Sequence, residues 1–416
     1  MVRLFRSSPR WWPCAAVIVA ALLLGWPPAQ HPLQTIKTFP DSATYLSWGF
    51  GRPPTTFLFY ALVGSGRAAV IVQTIASVTS WTVFGWLALG WPGASVAALL
   101  SAALPVSLWN YTVLSESIGL TIGAAWCAAT LALGQSWSRR RFVVWTVLAL
   151  LFTGVRAENF FLIPPLWLAL LCGHRARWRA LIVSGAGVAG LFIAFSIVAD
   201  MANRNWQIRL TNVMLTRIHP NPQLRTQFEA LGLPRGDELN AWHGHMLAAY
   251  DPAFVAATPL FQQWLDNESR PTYLRWLATA EPHRQLWEWG DHALTRVDPG
   301  FDYYTAAVRF PKLAFAALPL WDALRIPLGW WCALPLLPVL AGLLLRRIGF
   351  AQVFPLAYGL AVYALLFVVY HADSGELDRH LVLVGALYRL ASIVVLGGIW
   401  DALRPGAAPG GRSAFG

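Results

Sequence analysis

Long apolar runs alternate with short polar junctions along this chain. The runs cover about 11–26, 68–90, 94–112, 114–134, 142–155, 159–173, 180–199, 326–345, 350–370 and 381–400. Most hold roughly 20 residues, and at 1.5 Å per residue that length crosses a hydrocarbon layer about 30 Å thick. The pattern predicts an all-α, polytopic membrane protein of about ten transmembrane helices. Gly90-Trp91-Pro92-Gly93 reads as a tight turn between two of them. The first run has a basic start like a signal peptide. It lacks a small-x-small cleavage site before Trp26-Pro27-Pro28, so it reads as an uncleaved first span.

Two stretches interrupt the apolar rhythm. Residues 27–67 form a Pro-rich outer loop, in which amphipathic helices are expected. Residues 200–324 form one large polar insert. Within it Phe261-Gln262-Gln263-Trp264-Leu265 and Tyr273-Leu274-Arg275-Trp276-Leu277 carry apolar residues at helical spacing. These predict short amphipathic helices lying on the outer face, partly against the lipid surface. The chain therefore divides into a transmembrane module with its first outer loop (1–199), a helical insert (200–324), a second transmembrane module (325–403) and a Pro/Gly-rich tail (404–416).

Composition agrees. The chain is 56% hydrophobic and 12% charged, against about 25% charged in a soluble domain. The net charge of +11 would suggest nucleic acid if position were ignored. Instead Arg3, Arg6, Arg10, Arg139, Arg140, Arg141, Arg175, Arg177, Arg179, Arg346 and Arg347 lie in short connections. That distribution sets topology, with the basic loops and the N-terminus inside. No basic stripe with interleaved aromatics is present, which excludes nucleic acid as a partner. Only Lys37 and Lys312 are lysines; the Arg bias points to a GC-rich genome and a bacterial inner membrane. Cys14, Cys127, Cys172 and Cys332 lie in or beside apolar runs without CxxC spacing, so neither a disulfide framework nor a cysteine metal site is expected. There is no GxSxG, Walker A loop or HExxH.

The chemistry gathers at the junctions facing away from the basic loops. In Phe39-Pro40-Asp41-Ser42-Ala43-Thr44-Tyr45, Asp41 suits a general base; spacing alone favours the N-cap of a short helix, and the two roles are compatible. Arg52, before Pro53-Pro54, suits an oxyanion contact through its guanidinium fork or a headgroup contact at the interface. Glu116 stands at the outer end of an apolar hairpin, where a carboxylate is costly and needs a partner. Arg156 and Glu158, at i and i+2, point apart on a helix and so reach different partners. The His371–His380 loop packs Asp373, Glu376, Asp378, Arg379 and His380 together, as an anion clamp or as a plain polar loop. Arg389 lies about nine residues into the last run, roughly 13 Å deep, so it faces a cavity, a lipid phosphate or an acidic neighbour rather than lipid tails. His243-x-His245 is weak as a metal pair, since i and i+2 do not share a helix face and no third ligand is evident.

Taken in order, these residues resemble the GT-C superfamily, integral membrane glycosyltransferases that use polyprenyl-phosphate sugars, of the protein mannosyltransferase or aminoarabinose transferase type. The likeness rests on Asp41 with Tyr45 in the first outer loop, Arg52-Pro53-Pro54, Ser115-Glu116, Arg156-x-Glu158 and the late Arg379-His380. It covers most of the membrane region and not the insert. The resemblance implies a lipid-phosphate sugar as donor and inversion at the anomeric carbon, with Asp41 taking the proton of an acceptor hydroxyl. Arg52, Arg156, Arg379, His380 and Arg389 would bind the donor phosphate, with Tyr45, Glu116 and Glu158 in support. The acceptor could be a lipid, a polysaccharide or a protein. The first loop lacks the paired DxD of some relatives, so no cofactor and a metal-independent reaction are expected. The rival readings are a lipid or polysaccharide flippase, whose mark would be charge near the midplane and broken spans in matching halves, and a ligase or polymerase of O-antigen type.

Overall fold

The computed structural model describes residues 38–39, 41–47, 52–203, 205–235, 237–245, 248–295, 312–372 and 377–403, with isolated positions near residue 17. The predicted first span and the tail lie essentially outside the described residues, as do Asp373 and Glu376. Every regular element among the described residues is helical. We label α1 (Ser42–Leu46), α2 (Pro54–Val63), α3 (Arg67–Ala102), α4 (Ser115–Gln135), α5 (Arg139–Thr153), α6 (Ile163–Gly173), α7 (Trp178–Asn203), α8 (Phe350–Ala372) and α9 (Leu377–Leu403).

Among the described residues five helices are long and apolar enough to cross a membrane: α3, α4, Arg175–Met201, α8 and Arg379–Leu403, with a sixth if Ala314–Ala323 and Leu328–Leu344, bent by 71°, count as one span. The other predicted runs that fall within the described residues are shorter or broken. α5 has 15 residues and α6 has 11, about 22 and 16 Å of helix. The run predicted over 94–112 stops being helical at Ala103, whose ψ is 146°. Pro105 explains this, since its ring and missing N–H cannot continue the preceding helix.

α3 is a hairpin rather than a rod. Its backbone leaves helical geometry at Leu89 and Gly90, where Gly90 takes φ 69°, and Val78 packs against Ala98. In a straight helix those two residues would be about 30 Å apart. A Cβ on Gly85 would collide with the Gly93 carbonyl, so the two arms touch through glycine. The reversal falls at the Gly90-Trp91-Pro92-Gly93 punctuation.

One core joins α3, α4, α5, α6, α8 and α9 and contains Trp81, Trp109, Trp126, Trp145, Tyr358 and Tyr388, all nearly inaccessible. The insert has a second core of its own, with Met214, Phe228, Phe254, Phe261, Trp264 and Trp276. The predicted helices appear as Pro259–Asn267 and Ser269–Leu277. Their apolar faces bury Phe261, Trp264, Leu265, Tyr273 and Trp276 in that core rather than leaving them for lipid. In the first loop, α2 is apolar rather than amphipathic, with Leu58 and Leu62 exposed.

The insert is seated on the C-terminal end of α8. The Tyr273 hydroxyl donates to the His371 carbonyl at 2.6 Å. His371 Nε2 lies 3.1 Å from the Pro282 carbonyl, and the Arg217 guanidinium donates to the Tyr370 carbonyl and covers the Tyr370 ring. This is also the end where α4 and α9 begin. About 30 Å away along the 21-residue α4, the other end holds the basic connections: Arg141 donates to the Ala132 carbonyl at 3.0 Å, and His174 meets the Leu133 carbonyl at 2.8 Å.

Candidate functional site

The charged junctions converge at the α8/α9 end. α1 and α2 are stapled onto the chain between Thr112 and Ser115. Ser42 donates to the Val113 carbonyl at 2.7 Å and accepts from the Phe39 N–H at 2.8 Å. The Tyr60 hydroxyl donates to the Thr112 carbonyl at 3.0 Å and accepts from Gln73 at 2.8 Å. The Tyr45 hydroxyl donates to Ser115 Oγ at 3.2 Å. On the other side the Thr55 N–H donates to the Gly154 carbonyl at 2.9 Å. Here any Cβ at residue 154 would run into the Thr55 hydroxyl. These bonds bring the first loop over the N-terminus of α4 and beside the turn after α5.

Asp41 occupies the N-cap position of α1 but makes no cap bond with its side chain. Its carboxylate faces two arginines: Oδ1 lies 3.2 Å from Arg52 and Oδ2 3.1 Å from Arg379. The helix-cap reading thus describes the backbone, while the carboxylate is directed into the site. Arg52 also lies over the Tyr45 ring at 5.2 Å. Burial raises the Asp41 carboxyl, but Arg52 and Arg379 outweigh it and hold the group below its ordinary 3.8. Asp41 is therefore ionised at neutral pH.

Beneath Asp41 lies Glu116, fully enclosed in the first turn of α4. Arg379 pairs with it at 2.9 Å and Arg156 at 3.7 Å. The start of a helix, with its free N–H groups, suits a carboxylate, and two arginines from other segments compensate a charge that hydrocarbon alone would expel. Arg379, itself buried, bridges both acids, and His380 Nε2 lies 3.4 Å from its guanidinium. A small pocket opens here, lined by Ser115, Glu116, Gly119, Arg156, Arg379, His380 and Leu383. Its lining sets Arg156, Arg379 and His380 around Glu116, with Gly119 and Leu383 as the apolar part, so positive charge and a little apolar surface meet at one small opening.

Glu158 is drawn the other way. It pairs with Arg209 of the insert at 3.1 Å, so Arg156 and Glu158 do reach different partners. Arg389 stands apart from the cluster. Its Nε donates to the Trp321 carbonyl at 2.8 Å, Nη1 to the Gly385 carbonyl at 3.1 Å, and its guanidinium lies 4.0 Å over the Trp321 ring. Among the described residues no group of three or more His, Cys, Asp or Glu could hold a metal. His243 meets His219, not His245, with 2.5 Å between Nδ1 of His219 and Nε2 of His243. Burial, with Arg225 and His243 nearby, pushes His219 down to about 4.

Sequence reasoning missed Arg209, since nothing marks one arginine of a polar insert as the partner of an acid 51 residues earlier. It also missed Ser42 and Tyr60 as the scaffold of the first loop; both look like ordinary helix residues. Comparisons with protein-family models, curated proteins and solved structures find no match to this chain.

Proposed function

We propose that the chain is an inverting membrane glycosyltransferase of GT-C type, moving a sugar from a polyprenyl phosphate to an acceptor hydroxyl. The observation that carries this reading is the Asp41 carboxylate set between Arg52 and Arg379, the second of which also lines a small pocket with Arg156 and His380. A base and an oxyanion site side by side are what this transfer needs. The acceptor O–H gives its proton to Asp41, and its oxygen attacks the anomeric carbon from the face opposite the phosphate. The bond between that carbon and the phosphate oxygen breaks, and its electron pair leaves with the polyprenyl phosphate. Arg52, Arg156, Arg379 and His380 meet the growing phosphate charge, and aimed cations of this kind are commonly the largest electrostatic aid to such a step.

Each Asp41 oxygen faces one arginine. As the donor phosphate takes a share of Arg52 and Arg379, an Asp41 oxygen is freed for the acceptor proton. Glu116 keeps Arg156 and Arg379 together, and Tyr45 holds Arg52. The arginines supply the positive charge, so the reaction needs no metal. About ten crossings, a bacterial inner membrane and a site on its outer face fit the charge pattern of the connections. The acceptor is a lipid, a polysaccharide or a protein.

A photoreactive polyprenyl phosphate, with its diazirine beside the phosphate, tests the donor site in membranes containing the full chain. The expected label maps to the pocket around Gly119 and Leu383 and is lost in Arg379→Gln. Label spread over the lipid-facing surfaces and unchanged by Arg379→Gln would remove the reading.

A further inference from the structure

Arg156 faces a choice of acids. It lies 3.7 Å from Glu116 in the pocket, and Glu158, two residues on, is a second, largely enclosed carboxylate within its electrostatic reach. The backbone between them is fixed: the Asn159 N–H donates to the Arg156 carbonyl at 3.1 Å, and the Asn159 amide donates to the Phe152 carbonyl at 3.0 Å. Only the side chains can redistribute. Glu158 is satisfied from outside the bundle by Arg209, at 3.1 Å, from the first helix of the insert (Asn205–Val213). That helix is not loosely placed. The same insert grips the end of α8 through Tyr273 and His371 and through Arg217 and Tyr370.

We propose that Arg209 is a positioning residue for Arg156: by neutralising Glu158 it leaves the Arg156 guanidinium facing Glu116 and the ligand pocket. This rests on the reading of the pocket as a lipid-phosphate site. The insert thereby becomes part of the donor machinery without touching the donor. Without Arg209 a buried carboxylate loses its partner, a state that is strongly disfavoured. The nearest cation able to relieve it is Arg156, which swings from Glu116 toward Glu158 and leaves the phosphate site.

A merely structural contact between Arg209 and Glu158 would behave differently in a double variant. Removing Glu158 as well should undo the damage, because nothing then diverts Arg156. The full chain in nanodiscs is titrated with radiolabelled undecaprenyl phosphate, comparing wild type, Arg156→Ala, Arg209→Gln, Arg209→Lys and the double variant Arg209→Gln/Glu158→Gln. Arg156→Ala and Arg209→Gln are expected to weaken binding by about tenfold, the scale of one lost charged contact. Arg209→Lys keeps the charge and is expected to stay within about threefold of wild type. The double variant is expected to recover most of the loss, a coupling that only neighbouring groups display. The Arg209→Gln loss is also expected to persist in about 0.5 M salt, which screens a field effect acting at long range. Wild-type binding by Arg209→Gln alongside a loss in Arg156→Ala would overturn the proposal and leave the pocket reading standing. A double variant as weak as Arg209→Gln, or Arg209→Lys as weak as Arg156→Ala, would also overturn it. Equal binding by wild type and Arg156→Ala would remove the lipid-phosphate site, and this role of Arg209 with it.

Discussion

Arg379 and Arg389 lie on the same helix, ten residues apart, and both are almost completely buried. Their surroundings differ. Arg379 is held by two carboxylates, Asp41 and Glu116, contributed by distant segments, and lines a pocket. Arg389 is held by the Trp321 and Gly385 carbonyls and lies against the Trp321 ring. A carboxylate can be displaced by a phosphate, because one anion replaces another. A carbonyl and a ring face offer no such exchange, and they hold α9 to the segment 318–323. Burial of a charge therefore marks a need for a partner, and on the proposed reading the kind of partner separates a ligand site from a structural clamp.

The largest expected effect on this contrast comes from Arg379→Gln. Donor transfer should fall by at least about a hundredfold, in the range typical of an aimed charge at a reacting oxygen, measured with purified protein and lipid-linked sugar. Arg389→Met should instead act on stability. The unfolding temperature should drop by about 1–2 °C, as about 1–2 kcal/mol of lost packing and hydrogen bonding implies for a chain of this length, with donor affinity of the folded protein retained. If Arg389→Met loses donor binding and keeps its stability, the two arginines have been assigned the wrong way round. Arg52→Gln, at a half-exposed edge of the site, should cost less than Arg379→Gln, roughly tenfold in transfer, with the loss concentrated in donor KM.

Two smaller effects depend on pH. Asp41 has its folded pKa below 3.8, so its ion pairs add stability above that value and lose it as pH falls through the depressed pKa. Wild type should exceed Asp41→Asn in stability at neutral pH, and the gap should close below pH 3.8. His219 is pushed from 6.5 to about 4, so the unfolded chain binds the proton first. The insert should lose stability as pH drops from 6.5 toward 4, and His219→Gln should flatten that slope in thermal melts followed by Trp fluorescence.

Much of the site was legible because charge at the end of an apolar run is costly and conspicuous. Glu116, Arg156, Arg379 and His380 stand at such ends, Asp41 and Arg52 in the outer loop between two runs, and the structure brings them together. The pairing itself was not legible: Asp41 and Arg379 are separated by 338 positions, and no local pattern encodes that approach. Arg389 drew attention by depth, yet depth carries no information about carbonyl partners or a tryptophan ring. In the fold, Gly90 and Pro92 announced the α3 reversal through their backbone chemistry. The break at Ala103 was hidden inside an apolar stretch, where only Pro105 hinted at it. The insert helices showed in their spacing, but which surface their apolar faces would cover depended on the insert folding around its own core.

Transfer chemistry at Asp41 is tested by comparing glycan mass profiles of the cell envelope. Three strains are needed: one lacking the gene, one restored with the intact gene, and one restored with Asp41→Asn, with membrane levels of the two proteins matched. The account predicts a defined sugar absent from the deletion and from the Asn strain and present with the intact gene. Full restoration by Asp41→Asn would contradict it and turn attention to transport.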